Sequence, residues 1–132
     1  MVEVEIRGKQ FPLCLTVAAL DKVNAKCGGI GGIGKFLDGT NDEGTTDFSQ
    51  SMCNTAWLLG LLIQEGEENR LVCARCDGEQ AERRAVPDAA AIGHLLTVAS
   101  AKKYKMVVVA AVNESLTQEI EAANPKNVKS AE

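Results

Sequence analysis

What this chain lacks narrows its function first. It has no uninterrupted apolar stretch near the ~20 residues that a membrane-spanning helix requires. The longest late run, Met106 to Val112, falls far short of that. Glu3, Glu5 and Arg7 interrupt every early apolar run, so no secretory leader is read there. Basic charge is in deficit: 14 Lys and Arg stand against 18 Asp and Glu, a net charge of −4. That balance argues against nucleic-acid binding as the main task. Two dense basic clusters exist, Arg83-Arg84 and Lys102-Lys103-Lys105, but no aromatics interleave them and both read as solvated surface charge. Five cysteines without a leader imply a reducing cytoplasm rather than a disulfide framework. The expectation is a soluble, intracellular protein without membrane or nucleic-acid partners.

Catalytic constellations are missing as well. His94 is the sole histidine, and no G-x-S-x-G elbow stands near it. Gly29, Gly31 and Gly34 satisfy G-x-G-x-x-G, and Gly29 with Gly34-Lys35 satisfies G-x-x-x-x-G-K. Phosphate cradles of that kind need a strand delivering the glycines to a helix N-terminus. The cluster instead follows a helical pattern, and Phe36 takes the place of the metal-binding hydroxyl, so nucleotide binding is rejected. Glu65, Glu67 and Glu68 read as a solvated turn. Cys73 and Cys76 have C-x-x-C spacing, which suits a thiol pair or half a zinc site. A zinc centre would need two further ligands, and no second close pair is present. No enzyme, cofactor or metal is expected.

What the chain does hold is apolar periodicity. Asp47 to Gln64 opens with Asp47 as N-cap and Gln50 three residues on, the pattern of a capping box. Phe48, Met52, Ala56, Leu59 and Ile63 then share one helical face, and Trp57, Leu58, Leu61 and Leu62 widen the apolar arc beyond what a surface helix needs. This is the expected central helix, with Gly66 marking its break and Leu71 to Cys76 forming another helical piece.

Before it, Val2 to Ile6 alternates apolar and charged residues as a half-buried strand does. Gly8-Lys9 provides a turn and Gln10 to Leu15 a returning strand with Pro12 at an edge or irregularity. Thr16 is expected to cap a helix from Val17 to about Lys26, with Val17, Leu20, Val23 and Cys27 inward and Gly28 as its C-cap. Ile30 to Leu37 reads as a short, weak helical turn, and Asp38 to Thr46 as a mobile surface loop. After the central helix, Pro87 fits the first turn of a short helix ending near Leu96. Thr97 then caps a long helix to about Ala123, in which Tyr104, Val108, Val112, Leu116 and Ile120 form an inward stripe. Three valines at 107 to 109 raise a buried-strand alternative that the flanking periodicity outweighs.

The fold class expected is therefore α+β and predominantly α-helical: one domain, 1–132, with a β-hairpin over 1–15, about four or five helices over 16–123, and a frayed tail over 124–132.

The segments VEIRGKQFPLCLTVAALDKVNAKCG, NTAWLLGLLIQEGEENR and RRAVPDAAAIGHLL together resemble the tail assembly chaperones of long-tailed bacteriophages and prophages. The likeness spans most of the chain as a pattern of apolar positions rather than a diagnostic motif. It implies a non-enzymatic protein of the bacterial host cytoplasm, absent from the mature virion. Such a protein binds the long helical tape measure protein and keeps it soluble, with the major tail protein and further copies of itself as other partners. Helix-in-groove contact suits that task. The surface expected to carry it is whatever apolar face the core leaves over: Trp57, Leu58, Leu61 and Leu62 on the central helix, or Val107 and Val109 on the last. Core burial is the competing account of all six. The alternatives of other classes are a thiol-redox or zinc-binding module using Cys73 and Cys76, and a structural tail component retained in the virion.

Overall fold

The computed structural model describes the backbone of residues 1–123 and the side chains through Thr117. Two strands, β1 (Glu3–Ile6) and β2 (Lys9–Pro12), pair antiparallel with Val4 opposite Phe11. The alternation seen in sequence does what it must: Val4, Ile6 and Phe11 are buried, and Glu3 and Glu5 face solvent. The turn falls at Arg7-Gly8, one residue earlier than expected. Both residues take positive φ, 55° and 79°, the twist that suits a two-residue hairpin. Pro12 ends the second strand, and Leu13 continues the pairing through its N–H to the Val2 carbonyl at 2.9 Å.

A 3₁₀ turn at Val17–Ala19 leads into α1 (Leu20–Cys27), which Gly28 closes in the left-handed conformation. Two details depart from expectation. Thr16 makes no side-chain cap; its hydroxyl donates to the Glu65 carboxylate instead. Val17 points to solvent, because the 3₁₀ turn rotates it away from the face that buries Ala19 and Val23. A second 3₁₀ turn at Ile30–Gly32 passes into α2 (Ile33–Asp38), the short helix that the glycine-rich sequence suggested. The loop after it lies on the surface, where the Asn41 carboxamide oxygen accepts from the Glu43 and Thr45 amides.

The central helix α3 runs unbroken from Phe48 to Cys76, 29 residues. Asp47 caps it by accepting from the Gln50 amide at 3.0 Å. The Gln50 carboxamide turns away to Asn54, so only half of a capping box forms. Phe48 is exposed rather than inward, since no described element covers the first turn on that side. Gly66 does not break the helix. A Cβ there would lie 1.9 Å from the Pro12 carbonyl oxygen, so the glycine exists to let the hairpin's outgoing chain lie on α3. At that crossing the Cys14 amide donates to the Leu62 carbonyl at 3.3 Å.

An irregular strap, residues 77–88, then leads to α4 (Ala89–Leu95). Asp88 caps α4 by accepting from the Ala91 amide, so Pro87 precedes the cap instead of occupying the first turn. The last helix, α5 (Val98–Ala123), begins at Thr97, whose hydroxyl accepts from the Ser100 amide. Residues 107 to 109 are helical, which settles the strand alternative. The hairpin, α2, α4 and α5 all pack on α3, and the core between them holds Leu13, Val23, Leu37, Leu58, Leu59, Leu62, Ile63, Ile92 and Val108. The fold is α+β and mostly helical, as the periodicity predicts. The expected tail 124–132 lies outside the described residues, as does the side chain of Ile120 in the inward stripe.

Candidate interaction surface

The inner face of α5 is fixed to the body at several points. Val108, Ala111 and Val112 enter the core, and Tyr104 and Leu116 pack against it half-buried. The Tyr104 hydroxyl donates to the Glu5 carbonyl at 3.3 Å, and the Lys105 ammonium reaches Asp38 at 2.6 Å. Glu114 accepts from the Val2 amide at 2.8 Å, and the Ser115 hydroxyl oxygen accepts from the Leu15 amide at 3.0 Å. These bonds bind α5 to the hairpin at both ends of β1 and to the end of α2. A helix held so firmly on one side presents its other side as a stable platform.

That other side carries exposed apolar side chains that no described element covers. Met106 is 73% exposed, Val98 69% and Val109 40%. Spaced at 98, 106 and 109, they fall on one helical stripe with Lys102 and Asn113. Lys102, Lys105, Met106, Val109, Ala110 and Asn113 line a shallow trough along this face. Single exposed apolar residues are ordinary, but a row of them along one helix is the usual mark of an interaction surface.

The six residues named from sequence are divided by the structure. Leu58 and Leu62 are fully buried and Leu61 nearly so. They are core, because the hairpin, α2, α4 and α5 together cover the wide apolar arc of α3. Val107 is half-buried against the core. Trp57 is half-buried, with Phe36 edge-on at 5.7 Å between ring centroids and the Lys26 ammonium 5.7 Å from its own. It lines a recess with Ala89, Gly93 and His94 and shares no wall with the α5 trough. Val109 alone belongs to the exposed face. Met106 and Val98 were missed in sequence, although their four- and three-residue offsets from Lys102 and Val109 gave a signal. Met106 opens the continuous apolar run to Val112, which hides its outward position.

No protein-family model, curated protein or solved structure matches the chain.

Other sequence candidates separate in the same way. Cys73 and Cys76 are both exposed in the last turn of α3, and the Cys73 thiol donates to the Asn69 carboxamide at 3.7 Å. No group of three or more metal-ligating side chains gathers among the described residues. His94 is exposed at the end of α4. The acidic triplet is no solvated turn: all three residues lie within α3, and Glu67 is only 2% exposed. Arg70 grips its carboxylate through two nitrogens, at 3.0 and 2.7 Å, and the Arg84 amide and guanidinium bind it at 2.6 and 3.1 Å. The Arg70 bonds, more than any other cause, hold the Glu67 pKa down at about 2 against an ordinary 4.5. Arg83 pairs with Glu68 beside it. These arginines are thus not free surface charge; they fasten the strap to α3. The arrangement is structural.

Proposed function

We propose that this chain is a non-enzymatic assembly chaperone of long-tailed bacteriophage or prophage tails, which binds the tape measure protein in the bacterial cytoplasm and keeps it soluble. The reading joins the resemblance in residues 4 to 28 and 54 to 70 to one observation: the apolar side chains on the outer face of α5, uncovered by any described element. A long helical protein exposes apolar stripes that aggregate when left bare, and a firmly backed helix face of the same kind can cover them in turn. Weak, repeated contacts along such a stripe suit a protein that leaves before the particle is complete. No helix of the described residues is long and apolar enough to cross a membrane.

Co-expression with the tape measure protein encoded alongside tests the proposal. The soluble fraction of that protein should rise only when this chain is present, and Val109→Asp and Met106→Glu should each abolish the effect while far-ultraviolet helicity stays unchanged. Equal precipitation with and without the chain would end the reading. A thiol or zinc module built on Cys73 and Cys76 is the second reading, favoured by the exposure of both thiols. Stoichiometric zinc that disappears in Cys76→Ser would establish it.

A further inference from the structure

We infer that the outer face of α5 receives an amphipathic helix whose apolar stripe is bordered by carboxylates. The inference rests on the proposal that this face is a docking surface, and it adds the chemistry of what docks there.

Shape indicates a helix. The apolar row follows a single α-helix, and helices pack side by side when the ridges of one fit the grooves of the other. Ala110 and Asn113 are small, so a second backbone can approach closely beside them. Met106, the most exposed apolar side chain of the row, is unbranched and adaptable, which suits contact with more than one sequence.

Charge selects the kind of helix. The chain as a whole is acidic, yet Lys102 and Lys103 flank Met106 one turn earlier on α5. Both are exposed, and among the described residues neither lies in an ion pair. The other cations near carboxylates are already committed: Arg70 and Arg84 to Glu67, Arg83 to Glu68, and Lys105 to Asp38. Among the described residues, the trough therefore has Lys102 in its lining and Lys103 beside it with no ion-pair partner, and no carboxylate lines it.

Among the described side chains of α5, a second copy of this chain offers no complement. Parallel pairing of two α5 helices would set Lys102 against Lys102. Antiparallel pairing about Val109 would set it against Asn113 to Thr117, where the single carboxylate, Glu114, is turned inward to the Val2 amide. A different helix with glutamate or aspartate along its flanks meets both requirements at once, and one with basic flanks is repelled.

Two synthetic amphipathic helices of about 20 residues, sharing one leucine–alanine stripe but flanked by glutamate or by lysine, test the inference by fluorescence anisotropy against the full chain. The glutamate-flanked peptide should bind on the order of tenfold more tightly at low salt, and the difference should shrink as salt screens the rim. Lys102→Glu/Lys103→Glu, which alters only exposed positions, should reverse the preference. Met106→Glu should weaken both peptides. Equal affinities, or no binding of either peptide, would overturn the inference. So would self-association in sedimentation that Met106→Glu removes, since the face would then belong to a second copy. The two proposals fail separately. A glutamate preference with an insoluble tape measure protein would remove the chaperone function and leave this surface. A solubilised tape measure protein with no charge preference would do the opposite.

Discussion

Glu67 shows how much one side chain can organise. Buried on α3, it accepts from Arg70 on its own helix and from Arg84 on the strap. Arg84 also lies over the Phe11 ring, 5.8 Å from its centroid, so the same guanidinium touches the hairpin. The folded protein holds this carboxyl at about 2 whereas the unfolded chain releases it to about 4.5. A lowered folded pKa contributes stability that is complete above pH 4.5 and lost as pH falls through about 2. A displacement of that size corresponds to about 3 kcal/mol at neutral pH. Urea unfolding of Glu67→Gln should show a loss on the order of 3 kcal/mol at pH 7, and the difference from the parent should narrow between pH 4.5 and pH 2. Leu58→Asp belongs to the same scale. It places a charge in the core without a partner, so thermal denaturation should show the fold lost, whereas exposed Val109→Asp should shift stability by no more than about 0.5 kcal/mol.

At the scale of elements, two glycines decide how close the neighbours of α3 come. A Cβ at Gly60 would meet the Ala89 backbone at 2.6 Å, and one at Gly66 the Pro12 carbonyl at 1.9 Å. Both atoms are backbone and cannot swing aside. Gly66→Ala should therefore cost about 3 kcal/mol by overpacking, against a helix-propensity gain of about 1 kcal/mol. Gly93, in α4, faces open space. Gly93→Ala should leave packing untouched and raise stability by up to about 1 kcal/mol. Chemical denaturation of the three proteins side by side checks both signs. An isolated glycine weakens a helix, so the local pattern at Gly66 reads as a break. The close approach that justifies the glycine involves Pro12, more than fifty positions away, and no local pattern records that distance.

For the whole molecule, packing sorts the five thiols. Cys53, Cys73 and Cys76 are exposed, while Cys14 and Cys27 are half-buried, and burial pushes the thiol pKa of both upward. Titration of the native protein with a chromogenic disulfide reagent should give three fast thiols and two slow ones. Denaturant should merge all five into the fast class. The same sorting divides the apolar surface. α3 is enclosed from several directions, whereas no described element covers the outer side of α5.

Local patterns were enough to determine the hairpin, the helices apart from the continuity of α3 through Gly66, the Asp47 and Thr97 caps, the Gly28 stop and the α+β class, because these depend on residues within a turn or two of one another. They also marked α3 as the helix on which the others pack, since so wide an apolar arc must be covered. Which apolar side chains stay uncovered was decided only in three dimensions. Leu58 and Met106 are equally apolar in sequence, and what separates them is the presence or absence of other elements on each side. The pairing of Glu67 with Arg84 is of the same kind, joining helix to strap across a fold that had to form before the two charges could meet.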